Sequence, residues 1–166
     1  PNVSLKINDL TVIGVDAFAG DTLAYLEQFQ VKVSLLSMFS EPIEIKSIII
    51  RHPSIYARIL KDEKANWDIA KDSEESADVE SPSDDSNMRL SLKEFKIIGG
   101  DVIYDDRSLE VLTNIQNMNF SLSGDLSADF TSLSTQTEIE SFSFQMDGIP
   151  YFNKNSVSLE ADIDAD

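Results

Sequence analysis

Cysteine is absent from the chain, so neither a disulfide framework nor a thiolate metal site can form. Histidine occurs once, at His52, and would have to serve any Ser-His-Asp arrangement, yet no G-x-S-x-G elbow exists to join it. Just before Pro53, it is expected to be a strand-end residue. Positive charge is scarce: 13 Lys and Arg stand against 30 Asp and Glu, and the net charge of −17 repels nucleic acid and anionic lipid head groups. Nucleic-acid binding is excluded on that ground. No apolar run approaches the roughly 18 residues needed to span a bilayer as a helix, the longest β-branched block being Ile48 to Ile50. The chain opens at Pro1 with no basic or apolar leader, so any export signal or membrane anchor is expected outside this segment. Gly99-Gly100 lacks the Lys-Ser/Thr continuation of a phosphate loop. Paired acids such as Asp84-Asp85 and Asp105-Asp106 are expected to be surface charges in so acidic a chain. Asp162-x-Asp164-x-Asp166 lacks the Gly and Glu of a calcium loop, and alternation with Ala161, Ile163 and Ala165 fits a half-buried strand better. No catalytic residue, metal or cofactor is expected.

What the chain does have is 42% hydrophobic residues over a length of 166, enough for one domain with a core. Those residues recur in a three-point pattern, apolar-x-x-apolar-x-apolar. It occurs at Ile7/Leu10/Val12, Leu26/Phe29/Val31 and Ile45/Ile48/Ile50, with starts 19 residues apart, and again at Leu92/Phe95/Ile97, Ile115/Met118/Phe120 and Ile139/Phe142/Phe144. Leu5, Ala24, Ile43 and Leu90 precede four of the copies by two residues. This spacing has neither the period of a strand nor that of a helix. On a helix the positions fan around the axis. On a strand the odd step of three moves the second pair to the opposite face unless an extra residue is inserted as a bulge. Repeated bulges bend and coil a sheet. The expected fold is all-β with minor α, a curved, twisted antiparallel sheet of repeated strands forming a groove or half-barrel with one apolar concave side.

Turn chemistry falls between the apolar runs, at Gly14 to Asp21, Glu41-Pro42, His52-Pro53, Gly99-Gly100, Gly124-Asp125 and Asp147-Gly148 with Pro150. Helix signals reduce to one turn over Ser34 to Ser40. Residues 71–87 (KDSEESADVESPSDDSN) hold seven acids and five Ser with almost nothing to bury, and are expected to form a solvated loop between β regions 1–70 and 88–166 of one structural domain.

Residues 43–69, IEIKSIIIRHPSIYARILKDEKANWDI, place a strand, a Pro, a second strand, a charged turn and Asn-Trp in succession. In this order they resemble the N-terminal region of the AsmA-like proteins of Gram-negative envelopes. Pro53, Asp62, Asn66 and Trp67 carry the match, and Gly20 to Ile48 is similar to the same region in Bacteroidetes-type members. Glu63 stands where the family's Asp-Gly turn has Gly. The resemblance implies a non-enzymatic body on the periplasmic side of the inner membrane, tethered by an anchor outside this segment. It also implies a part in outer-membrane biogenesis and in moving phospholipid along a hydrophobic groove.

The residue pattern allows the same function by a separate route, since an aliphatic concave side could shelter acyl chains, each buried CH₂ contributing roughly 0.8 kcal/mol. Ile7, Leu10, Phe29, Val31, Ile48, Ile50, Phe95 and Ile97 are the candidate lipid-facing residues, with Pro53, Asn66 and Trp67 as structural ones. Ile7, Leu10, Phe29, Val31, Ile45, Ile48, Phe95, Ile97, Phe120 and Phe142 are expected to be buried, with the Trp67 ring a packed anchor and Asn66 bonded to the turn backbone. Phospholipid acyl chains are the expected partner, and no envelope protein is singled out. Two other readings share the pattern: a closed β core serving as a scaffold, and an exported carbohydrate-binding or adhesin-type sandwich.

Overall fold

A computed structural model of the chain describes residues 1–39, 43–68, 90–124 and 131–165. Eight strands are present: β1 (Asn2–Ile13), β2 (Thr22–Ser34), β3 (Ile43–Ile59), β4 (Leu90–Leu92), β5 (Glu94–Asp106), β6 (Val111–Gly124), β7 (Thr131–Met146) and β8 (Ile149–Ala165). They form one open, curved sheet in the order β1-β2-β3-β5-β6-β7-β8, with β4 also on β3. Among the described residues helix is limited to two short 3-10 turns, Asp16–Phe18 and Leu36–Phe39. The second lies within the expected Ser34 to Ser40 turn. There the Ser37 hydroxyl donates to the Ser34 carbonyl and accepts from the Glu44 N–H, joining the turn to the start of β3. Residues 71–87, and with them Asp84-Asp85 and Glu41-Pro42, lie outside the described residues.

The sheet is mixed. Five of the six neighbour pairs along that order are antiparallel as expected, but β3 pairs with β5 in parallel, Ile48 opposite Phe95 through Ile59 opposite Asp106, and β4 continues that parallel register. A parallel pair needs a crossover connection, which the chain length between Ile59 and Leu90 provides. Alternation within a strand says nothing about the direction of its neighbour, so the apolar pattern could not reveal this.

The odd apolar step has a uniform cause. Between Asn8↔Gln28 and Leu10↔Leu26 the partners Asp9 and Glu27 are skipped. Continuing across the sheet, Glu27 and His52 are skipped between β2 and β3, and His52-Pro53 and Gly99-Gly100 between β3 and β5. The line then steps over by a residue pair to Asn117 and Glu140, and again to Lys154. Asp9, His52, Gly99, Asn117 and Lys154 all have positive φ, so the irregularity is a row of kinks running across the sheet. Four copies of the sequence pattern straddle this row: those starting at Ile7, Leu26, Ile115 and Ile139. The other two, Ile45/Ile48 and Leu92/Phe95, straddle a second irregularity at Lys46 and Lys93, where the β2–β3 register shifts and β4 breaks from β5. The third copy therefore shares the spacing of 19 without sharing the structural level of the first two.

Two expected turns prove to be kinks inside strands. His52 and Pro53 lie within β3, and Gly99-Gly100 within β5. At a skipped position no ladder hydrogen bond is required of the Pro nitrogen, which is why Pro is tolerated mid-strand. Hydrogen bonds on the polar face support the row. Tyr25 Oη donates to Asp9 Oδ1 at 2.7 Å, and His52 Nδ1 lies 2.7 Å from Glu27 Oε2. Asn117 N donates to Asp101 Oδ1 at 2.9 Å, and its Nδ2 to Glu140 Oε2 at 2.6 Å. The extra residues place additional backbone on this side, which bends the sheet away from it.

Gly99 shows how tight the row is. Its φ is +63°, and a Cβ there would lie 2.6 Å from His52 Cδ2. Gly99→Ala is expected to cost about 1–3 kcal/mol from left-handed strain plus the displaced imidazole. An unchanged urea midpoint would show that the kink row tolerates a side chain.

Candidate functional site: an open apolar face

Cross-strand partners share a face of a sheet, and the registers assemble the apolar residues into transverse rows. Ile7, Phe29, Ile50, Ile97 and Phe120 form one continuous row from β1 to β6. Leu5, Val31, Ile48, Phe95 and Leu122 form the next. Beyond the kinks, Val12, Ala24, Ile55, Val102, Ile115 and Phe142 form a third. Leu10, Leu26 and Pro53 continue between these rows toward Gly100 and Met118. A Cβ at Gly100 would meet Pro53 Cγ at 3.2 Å, so the missing side chain leaves room for the Pro53 ring. All eight candidate lipid-facing residues lie on this one face. Phe95 and Phe120 meet edge to face with centroids 6.0 Å apart, and Phe142 and Phe152 at 5.5 Å. With strands about 4.8 Å apart, six steps make the face about 29 Å from edge to edge.

No second layer covers it among the described residues. The expected burial is corrected accordingly. Ile7 and Leu10 are exposed, and Phe29, Val31, Ile45, Ile48, Ile50, Phe95, Ile97, Phe120 and Phe142 are half-buried by their neighbours within the sheet. Phe18, 6% exposed, is the sole large apolar side chain buried among the described residues. The pattern identified which side is apolar; it could not distinguish a face awaiting a ligand from one closed by packing.

Aromatic and polar groups gather at one end. Trp67 stacks on Tyr104, centroids 6.5 Å apart, and Tyr104 shares the apolar face with Ala57 and Thr113. Its ring is nevertheless 46% exposed, which corrects the expectation of a packed anchor: one side rests on Tyr104 and the other is open. The buried neighbour is Asn66. Its Oδ1 accepts from Arg58 N at 2.9 Å, its Nδ2 donates to the Tyr56 carbonyl at 2.6 Å, and its own N–H reaches the Arg58 carbonyl. The amide thus holds the 60–65 turn against β3. Within that turn Glu63 has φ +64°, the conformation a Gly would adopt without strain.

Asp106 departs from the expectation of a surface charge. It is buried, and its Oδ1 accepts from Ser108 Oγ at 2.7 Å and from the Ser108 and Leu109 N–H groups at 3.0 Å each. Tyr104 Oη donates to its Oδ2, also at 3.0 Å. The Ser108 hydroxyl leads these donors in holding the carboxyl below its ordinary pKa against the opposing effect of burial, while burial and Asp106 raise that of Tyr104. An Asp followed two residues on by Ser in a turn is the signal that could have marked it. On the opposite face Arg58 joins Asp21 at 3.2 Å, Asp105 at 3.6 Å and the Tyr56 hydroxyl. These are structural networks. No group of three or more metal-ligating side chains occurs among the described residues.

The AsmA family model matches residues 1–164, nearly the whole chain. The chain belongs to the AsmA family. Membership associates it with the bacterial envelope. No curated protein matches at a significant level. Within this AsmA chain, Pro53 is at the central kink and Asn66 and Trp67 are at the aromatic end of the apolar face, while Asp62 lies in the charged turn, bridged to Lys64 at 3.0 Å. No helix among the described residues is long and apolar enough to cross a membrane.

Two outcomes test these assignments. Asn66→Ala leaves a buried N–H and a carbonyl without partners and is expected to cost about 2–4 kcal/mol, more than Trp67→Ala, whose half-open ring should cost about 1–2 kcal/mol; equal urea midpoints would contradict the ranking. For Asp106 the folded pKa is depressed, so its stabilisation is present above the unfolded carboxylate value of about 3.9 and is lost as pH falls through the folded value. The stability gap between wild type and Asp106→Asn should therefore be full at neutral pH and shrink below about pH 4. A gap that stays constant to pH 2 would contradict this.

Proposed function

We propose that this AsmA-family chain is a non-enzymatic lipid-handling module of the Gram-negative envelope, on the periplasmic side of the inner membrane. Its apolar face shelters phospholipid acyl chains during transport that serves outer-membrane biogenesis. One observation carries the reading: an unbroken apolar surface, several side chains wide, has no covering layer among the described residues. A monomeric soluble fold rarely leaves so much contiguous apolar area exposed unless something else occupies it. Acyl chains suit the surface, because the exposed groups are aliphatic and aromatic and the rows run without a polar break from β1 to β6. The scaffold reading requires a closed core, and Phe18 alone supplies little of one. The carbohydrate-binding reading finds a single Trp, already stacked on Tyr104.

Loading of the face should depend on hydrocarbon. Uptake of detergent-dispersed phospholipid is expected to survive high salt and to ignore head-group charge. Ile48→Asp or Phe95→Asp sets a carboxylate against the acyl chains and should abolish uptake with the β circular dichroism signal retained. Photo-crosslinkers at Ile48 and Phe95 in a Gram-negative envelope should yield lipid adducts. Folded, expressed protein that gives none would overturn the reading.

A further inference from the structure

Among the described residues the most exposed large apolar side chains belong to the 3-10 turn between β2 and β3, where Leu36 is 71% and Phe39 88% exposed. They project at the end of the sheet opposite Trp67, where the rows of Val31, Ile48 and Phe95 reach the rim. This turn is fastened. Leu35 N donates to the Pro1 carbonyl, and Ser37 joins the end of β2 to Glu44 of β3. Two apolar side chains held outward by a bonded turn are poorly explained by burial within the chain.

Charge divides the same end: Glu138, Glu160, Asp162 and Asp164 lie on β7 and β8, while the part beneath β1 through β5, where the turn projects, is basic. On this side of the central kink, the described residues of β1 through β5 carry Lys6, Lys32, Lys46, Arg51, Lys93 and Lys96 against only Glu44 and Glu94, a net of +4 (six bases less two acids) within a chain of net charge −17. Lys46 pairs with Glu44 and Lys96 with Glu94, both at 2.6 Å, so the acids present are already matched. An apolar tip flanked by bases complements an anionic bilayer: apolar side chains enter the acyl boundary while the bases meet phosphate.

We infer that the β2–β3 end is a membrane-docking tip, with Leu36 and Phe39 inserting into an anionic phospholipid surface so that the apolar face opens onto the bilayer. This deepens the proposed function and takes its purpose, though not its test, from that reading. The docked geometry brings the Val31, Ile48 and Phe95 row to the lipid surface, so an acyl chain passes from bilayer to protein without crossing water.

The test is flotation of the 166-residue chain with vesicles of phosphatidylethanolamine and phosphatidylglycerol. The chain should co-float, and less so when phosphatidylglycerol is replaced by phosphatidylcholine or salt is raised. L36D/F39D should lower partitioning at least about ten-fold, whereas L109D, at an exposed leucine of the opposite end, should leave it unchanged. Because the chain has no cysteine, an environment-sensitive fluorophore on Phe39→Cys reports insertion directly, with a blue shift expected on vesicle addition and none from Leu109→Cys. Wild type that stays unbound, L36D/F39D that floats like L109D, or a Phe39→Cys probe that does not shift overturns the inference; the second result would point to a protein partner for the tip. Uptake of detergent-dispersed lipid is measured in parallel. Docking without uptake defeats the proposed function alone, and uptake without docking defeats this inference alone.

Discussion

A single-layer sheet that bends must keep its apolar side chains on one side through the bend, and the rest of this structure depends on how that is done. Each strand meets the bend with a skipped residue, so the apolar sequence advances by three there and by two elsewhere. Because the skips on β1, β2, β3 and β5 stand at one level, the bend is shared and the pairing register is recovered immediately after it. Unshared bulges would shift register by one and turn half of every strand inside out. Apart from Pro53, the residues at the skips are polar or Gly, and some of their side chains, Glu27 with His52 and Asn117 with Glu140, bond to one another on the polar face. Positive φ is costly for residues such as His52 and Lys154, so it persists only where the neighbouring strands over-determine it.

The energetic consequence is a sheet stabilised mainly along itself. Backbone ladders and cross-strand side-chain pairs, each contributing of order 0.2–1 kcal/mol, replace the facing layer that ordinarily buries a β surface. Half-burial of Ile48, Phe95 and their row neighbours comes from adjacent strands alone. The networks around Asn66, Asp106 and Arg58 then close the end where strands β3 and β5 finish. They gather Trp67, Tyr104 and several charges at that end, while the rows of the apolar face are lined by aliphatic and Phe side chains. Membership of the AsmA family and an apolar surface uncovered among the described residues are the two observations behind the proposed function. The uneven charge adds direction: the chain is strongly acidic as a whole, while the rim beneath β1 through β5 is basic.

Much of this was legible in the residues. The step from Ile7 to Leu10, repeated at Leu26, Ile115 and Ile139, encodes a bulge because nothing else keeps both residues on one side of a strand. The eight candidate apolar residues share a face for the same reason, since alternation and bulge together determine sidedness locally. Other features could not be read. The left-handed conformations of His52 and Asn117 depend on partners on other strands, sixteen to twenty-five residues away. Asp106 is buried because of what its turn folds against, and Trp67 is half-open because it lies in a turn and stacks on Tyr104 of β5, far from it in sequence.

Sequence by itself determined the sidedness of each strand and the positions of most bends, because these follow from local spacing and residue type. Only the tertiary structure decided that β3 and β5 run parallel, that the kinks line up into one transverse row, and that no layer among the described residues closes the apolar face. Those are relations between strands distant in the chain, and an apolar side chain obeys the same pattern whether it will meet a neighbour's methyl group or a lipid's.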